Sequence, residues 1–296
     1  MSEAERVYIE QWRAKKRKRK SILSNKFRIL KYNLYKKFSL GKKNRYPFSF
    51  SGWGMQTTFS KPPWLDSNNI DDLNFNIYHE KLKLLVKENK FFLSQFYLPD
   101  TNYQKILEEL KWRSYIIYNS AIFALNFKKK NTFNMVECGV CDGLTIYYAL
   151  SASKIKNANF IAFLYDSFDE IKEDYLSPED IDQLGNYNHL DIEQTKKNLQ
   201  LYKQNIFFNK GYIPDIFKTG NNPEDISWLH IDLNSSKTTI ECLEFFFQKI
   251  NDSGVIIFDD YGAFKTTKDV VDSFLKDKTG HFFNFPTGQA MFIKKT

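Results

Sequence analysis

The spacing of apolar residues along the chain changes near residue 130. In "YHEKLKLLVKEN" and "NYQKILEELKWRSYIIYNSAIFALNF", apolar residues such as Ile106, Leu107, Leu110, Ile117, Ala121 and Leu125 recur at intervals of three and four, which predicts packed helices. After "KKKN" the pattern becomes short apolar runs separated by helical stretches. These runs predict strands at 134–138, 159–165, 205–208, 227–232 and 254–258, with helices at about 143–153, 191–203 and 236–250. Such alternation predicts an α/β fold built on an open, mostly parallel sheet. The terminal "HFFNFPTGQAMFIKK" predicts two strands joined by a Pro-Thr-Gly turn that close the sheet with an antiparallel edge. Further upstream, "SGWGMQTTFSKPPW" (51–64) holds too much Gly and Pro for a long helix or central strand and predicts an irregular loop. The chain therefore divides into an arm (1–46), a helical N-terminal region (47–130) and a sheet domain (131–296).

Charge separates the arm from the rest. Residues 1–46 hold 16 Lys/Arg against Glu3, Glu5 and Glu10, a balance of +13 in a chain of net charge +8, so the remaining residues carry −5. From Arg13 to Arg45 there are 15 basic residues and no acidic one, interleaved with apolar residues, among them Phe27, Tyr32, Tyr35 and Phe38. Such an arm is a solvated extension, a surface that adsorbs to anionic membranes, or a nonspecific nucleic-acid contact; charge alone does not choose among these. The first ten residues are charged and no apolar stretch precedes a cleavage site, which predicts a cytoplasmic protein, with peripheral attachment to a membrane surface if the arm binds lipid. The longest apolar run, Tyr115 to Phe127, falls short of the roughly 20 residues of a membrane span. Three cysteines are too few for a disulfide framework; Cys138 and Cys141 form C-x-x-C, but Cys138 lies among strand residues, so small buried thiols are expected rather than redox or metal chemistry.

In open parallel sheets ligands bind beyond the carboxyl ends of the strands, so the residues following each strand carry the chemistry. The first strand runs into "VECGVCDG", where Gly139 and Gly143 let backbone approach a ligand ahead of a helix N-terminus. This is neither G-x-G-x-x-G nor a phosphate loop ending in Gly-Lys-Ser/Thr. The second strand ends in "LYDSF", placing Asp166 where an acid can take both hydroxyls of a ribose. The fourth ends in "HIDLN" and the fifth in "FDDYG", which brings Asp232, Asp259 and Asp260 to neighbouring tips. Crowded carboxylates raise one another's pKa unless a cation neutralises them, and a hard ion such as Mg²⁺ suits three oxygens. The alternative is that these aspartates cap the following helix and turn.

Taken in order, "VECGVCDG", "LYDSF", "WLHIDLN" with "TTIECLEFF" behind it, "SGVIIFDDYG" and the terminal "PTGQAMFI" resemble the class I S-adenosylmethionine-dependent methyltransferases, and within them the macrocin O-methyltransferase family, from about residue 110 onward. The resemblance implies a Rossmann-like sheet and a cofactor held by Glu137, Gly139 and Gly143 around its methionine part, by Asp166 at its ribose, and by Gly211 and Tyr212 near its adenine, with Ser167 a further cofactor contact. It also implies Mg²⁺ on Asp232, Asp259 and Asp260. The catalytic candidates are Asp232, His230 and Asn234. Many sugar-methylating relatives place an aspartate base at the third of these positions, but Asn234 takes no proton at neutral pH, which leaves His230 or a metal-site aspartate as the base. For His230 itself a satisfied core histidine is the favoured reading. Cys141-Asp142 likewise stands where many relatives have Trp-Arg.

The expected reaction is methyl transfer to a hydroxyl of a sugar, glycan or other small hydroxylated acceptor, from S-adenosylmethionine and with Mg²⁺ assistance. "NYNHLDIEQTKKNL" lies between strands two and three, where insertions shape acceptor pockets. Two rivals stay open: a nucleic-acid methyltransferase, suggested by the basic arm and its aromatics, and a catalytically inactive binding module, suggested by Asn234. The chain is also a candidate homo-oligomer.

Overall fold

A computed structural model describes residues 70–94, 102–127 and 131–295. The expectations for the basic arm and for the loop at 51–64 lie outside these residues. Among the described residues seven strands form a single sheet in the order β3-β2-β1-β4-β5-β7-β6. Their ranges are β1 Thr132–Cys138, β2 Asn159–Asp166, β3 Ile206–Lys210, β4 Ile226–Ile231, β5 Ile250–Phe258, β6 Gly280–Asn284 and β7 Ala290–Lys294. The first five pair in parallel, while β7 runs antiparallel to both β5 and β6. The C-terminal pair is thus the antiparallel edge that its Pro-Thr-Gly turn predicts. The strand order reverses between β1 and β4, where a crevice opens beyond the strand ends.

Alternating side chains on the central strands divide the core between the two faces. Met135, Trp228, Val255 and Ile257 face one hydrophobic cluster, whereas Val136, Leu229, Ile256 and Phe258 face another. The first cluster receives α1 Leu73–Lys87, α2 Tyr103–Glu109, α3 Lys111–Asn126 and α4 Leu144–Ile155. Asp72 starts α1 by accepting a hydrogen bond from the Phe75 N–H (2.9 Å), and Phe75, His79, Leu82 and Val86 make its buried side at helical spacing. Phe75 lies against Tyr115 and Tyr118 of α3 and Tyr148 of α4, with ring centroids 5.1–5.5 Å apart. Trp228 of β4 donates its indole N–H to Ser120 of α3 at 2.8 Å. The other face is covered by α6 Ser236–Phe246, whose Leu243 and Phe246 are buried, and by α7 Lys265–Leu275.

Three element boundaries differ from the sequence reading by more than two residues. The stretch expected as one helix at 191–203 is α5 Ile192–Asn198 followed by a 3₁₀ turn, and α6 likewise ends in a 3₁₀ turn, Phe247–Lys249. Strand β5 begins four residues early, because Ile250 already pairs with Ile226 before the register shifts at Ile226/Trp228. Helix α7 was not expected, although Val270, Val271, Phe274 and Leu275 give it an apolar side that packs Val271, Phe274 and Leu275 into the second cluster. Among the described residues no helix is long and apolar enough to cross a membrane.

Because Phe75 joins three helices to the core, Phe75→Ala should lower stability by about 3–5 kcal/mol. Chemical denaturation should show one cooperative transition moved to lower denaturant. A separate early transition for the N-terminal helices would contradict packing into a common core.

Candidate active site

Backbone hydrogen bonds continue past the strand ends and tie their tips into one row. Gly211 N–H donates to Asp166 O, Gly139 N–H to Tyr165 O, Asp232 N–H to Cys138 O and Asp259 N–H to Ile231 O, at 2.8–3.0 Å. At the centre of this row Gly139 has φ +88°, and a Cβ there would lie 1.7 Å from the Asp232 carbonyl oxygen. Only glycine lets β1 and β4 approach so closely. Gly143, at φ +82°, serves differently: it turns the chain into α4 against Leu199 and lines neither lobe of the crevice.

Two lobes meet at Gly139, Cys141 and Asp232. The larger encloses about 740 Å³ of empty space, its open mouth included, and its floor carries Asp166, Ser167, Gly211, Tyr212 and Asn234. Such a volume suits a nucleoside-sized cofactor. Its outer wall comes from the segment after β2, with Ile171, Lys172, Tyr175, Tyr187 and Leu190. Asp180 anchors that segment: it accepts from the Ser236 N–H and hydroxyl (2.8 and 2.7 Å) and from the Thr266 hydroxyl (2.7 Å). The smaller lobe lies between the glycine turn and α3, and brings Arg113 and Ser114 beside Thr145, Asp232, Asp259 and Gln289.

Several residues expected at the cofactor do other work. Glu137 is fully buried, lines neither lobe and bonds His230 Nδ1 at 2.9 Å. Asp166 lines the larger lobe, yet its Oδ2 accepts the N–H groups of Val140 and Cys141 (2.8 and 2.9 Å) and its Oδ1 that of Phe168 (2.7 Å). It thereby holds the glycine turn against the end of β2. Burial raises its pKa, and these three donors oppose the rise. Ser167 exchanges hydrogen bonds with the Asp169 backbone. Tyr212 lines the lobe, but its ring stacks on Tyr175 (centroids 4.5 Å, 8°), Lys172 Nζ sits 4.5 Å from its centroid, and its hydroxyl donates to Glu170 O at 2.9 Å. Tyr212 thus anchors the outer wall, with one ring face stacked on Tyr175.

His230 proves to be the satisfied core histidine. It is fully buried, with Nδ1 on Glu137 and Nε2 3.4 Å from Asp259 Oδ1, and it lines neither lobe. Desolvation alone would lower its pKa, but hydrogen bonds to Asp259 and Glu137, with their charges, raise it to about 10. An imidazolium already holding its proton is no general base. Asn234, at φ +52°, donates through Nδ2 to the Tyr187 hydroxyl at 3.1 Å. All three cysteines are thiols, and Cys141 sits where the lobes join, with its pKa raised by burial.

Asp232, Asp259 and Asp260 come together as expected, each able to offer an oxygen within 4.8 Å of the others. What sequence reasoning missed is a cation already present. Arg113 from α3 pairs with Asp259 Oδ2, while Gln289 donates to Asp259 Oδ1 at 2.8 Å. Burial would raise the Asp259 pKa, but the Arg113 charge and the His230 contact hold it well below the usual carboxylate range. For Asp232, burial and the charges of Asp259 and Asp260 drive the pKa well above its ordinary value, and its buried Oδ1 has no hydrogen-bond partner. Lys111 is buried on the same helix, so no local pattern singles out Arg113 in the sequence.

The family model described as macrocin-O-methyltransferase (TylF) matches residues 128–281, just over half of the chain. The chain belongs to this family. It is an S-adenosylmethionine-dependent O-methyltransferase. Among solved structures, the O-methyltransferase NovP aligns with a TM-score of 0.56 at 18% identity, covering 64% of this chain and 82% of NovP. That likeness shows a shared class I methyltransferase fold. The calicheamicin methyltransferase CalS11 (TM-score 0.43, 12% identity, 75% of this chain and 93% of that one) and the Podospora anserina methyltransferase PaMTH1 (0.41, 11%, 76% and 89%) are more distant in structure. No curated protein sequence gives a significant match.

Two outcomes follow from this geometry. Gly139→Ala should abolish calorimetric binding of S-adenosylmethionine or prevent folding, since neither backbone can yield by the required distance. Unchanged binding would contradict the close contact of β1 and β4. His230 titrates higher folded (about 10) than unfolded (6.5), so its stabilising share is complete below about pH 6.5 and is lost as pH rises toward 10. Denaturation midpoints should fall over that window in the native chain, and His230→Gln should remove this component of the slope.

Proposed function

We propose that the enzyme transfers the methyl group to a hydroxyl of a sugar or a similar small polyhydroxylated metabolite, with Mg²⁺ held by Asp232, Asp259 and Asp260. The observation that carries the metal reading is the buried Asp232 Oδ1, which lacks a hydrogen-bond partner and faces two further carboxylates. Charge supports it: Glu137, Asp232, Asp259 and Asp260 form a connected cluster with two cations, Arg113 and His230. Ionised, these four acids exceed the cations by two charges, the charge of one divalent ion. All ligand atoms are hard oxygens, as Mg²⁺ prefers. Bound there, the ion would supply a Lewis acid able to chelate neighbouring hydroxyls and lower the acceptor's pKa, a reason to favour a polyhydroxylated acceptor. The family description, which names macrocin, points to a hydroxyl acceptor as well.

In this reading the protein aligns donor and acceptor for an in-line displacement at the sulfonium-bound carbon. The glycine turn and Gly139 border the methionine part, Asp166 and Ser167 the ribose, and Gly211 the adenine. Tyr212 supports the wall over the adenine. Glu137 and Gly143 act from behind, through His230 and the α4 turn. Of the three catalytic candidates, Asp232 alone presents a carboxylate at the junction of the lobes; His230 holds Asp259 in place, and Asn234 holds Tyr187.

Turnover of a panel of glycosides and nucleotide-linked sugars should require Mg²⁺ and vanish in EDTA. S-Adenosylmethionine should bind under both conditions. Asp232→Asn should lose about 10²–10⁴-fold in kcat on the same acceptor. Full turnover in EDTA would overturn the metal-assisted reading.

A further inference from the structure

The aspartate cluster is not bare: it carries its own cation, delivered from outside the matched family region. Arg113 lies on α3 and Gln289 precedes β7, both beyond residues 128–281. Arg113 is buried; it donates through Nη1 to Thr287 O (3.1 Å) and through Nη2 to Asp259 O (3.3 Å), and it pairs with Asp259 Oδ2. Gln289 and His230 meet Oδ1 of the same carboxylate, at 2.8 and 3.4 Å. Asp259 is thus contacted on both oxygens by donors, two of them cationic, whereas Asp232 Oδ1 beside it has no hydrogen-bond partner. Any divalent ion placed among the three aspartates must share Asp259 with the guanidinium and sit close to its positive charge.

We infer that Arg113 is a built-in counter-ion that competes with the divalent metal for Asp259, weakening metal affinity and keeping the ion exchangeable. This rests on the metal reading proposed above and adds a direction to it: the arginine lowers affinity, where an ordinary supporting residue would raise it. Arg113 supplies the charge that steadies the cluster without metal, so a folded metal-free state does not depend on the ion. A purely structural arginine, one that only fastens α3 to the turn at Thr287, would leave metal affinity unchanged or lower it when lost.

The test uses Mn²⁺ alone, without S-adenosylmethionine or acceptor, titrated into the full chain and read by the electron paramagnetic resonance signal of free Mn²⁺. Arg113→Met should bind Mn²⁺ about tenfold or more tightly than the native chain, because a like charge is removed at close range. Arg113→Lys should stay within about threefold of native, since the charge remains. Gln289→Leu, which removes a neutral donor from the same carboxylate, should not tighten binding. If Arg113→Met does not fold, Arg113→Gln takes its place, keeping a donor for Thr287 O. Equal or weaker binding in a folded charge-removed variant overturns the inference, as does equal tightening in Gln289→Leu. Tight binding only after Arg113 is removed supports it strongly. Absence of Mn²⁺ binding in every variant instead overturns the metal reading itself, and the inference falls with it.

Discussion

The tips of β1 and β4 meet at Gly139, where a methyl group would lie 1.7 Å from the Asp232 carbonyl oxygen. This contact aligns the glycine turn, which closes one side of the crevice, with the aspartate that begins the acidic cluster. The hydrogen bonds that extend the ladder past the strand ends hold the neighbouring tips level with it. Asp166 completes the arrangement from β2 by binding the turn's own N–H groups. The chemistry of the site is therefore set by backbone geometry before any side chain meets a ligand.

Around that frame the buried charges form a chain. Glu137 bonds His230, His230 approaches Asp259, and Asp259 pairs with Arg113. Each cation sits beside acids, as burial demands, and the imbalance is concentrated at Asp232. Clustered buried acids are costly for packing alone, so the unpartnered Asp232 Oδ1 beside Asp259 and Asp260 is the physical reason to look for a divalent ion there.

Much of this was legible in sequence. The strand runs, the antiparallel edge and the positions of Asp166, Asp232, Asp259 and Asp260 follow from local patterns, because buried parallel strands are continuous apolar runs and their tips are where polar residues begin. Helix α7 was missed although Val270, Val271, Phe274 and Leu275 follow helical spacing, whereas the 3₁₀ endings of α5 and α6 were illegible because periodicity does not distinguish a final tight turn. The side-chain partners of Glu137, His230 and Tyr212 were illegible for a different reason. A residue's neighbour in sequence shows which strand it is on, but not which side of the sheet, or which distant ring, claims its side chain. Arg113 and Gln289 reach Asp259 across 146 and 30 residues, and only folding reveals that they converge.

The central claim is that one crevice holds the cofactor and a metal ion on Asp232, Asp259 and Asp260. Crystals grown with S-adenosylhomocysteine and Mn²⁺, measured at a wavelength where manganese scatters anomalously, test it directly. The account predicts the cofactor product across the β1–β4 tips and one anomalous peak within bonding distance of all three aspartates. Cofactor density with no anomalous peak at that cluster would contradict the metal site while leaving the fold intact.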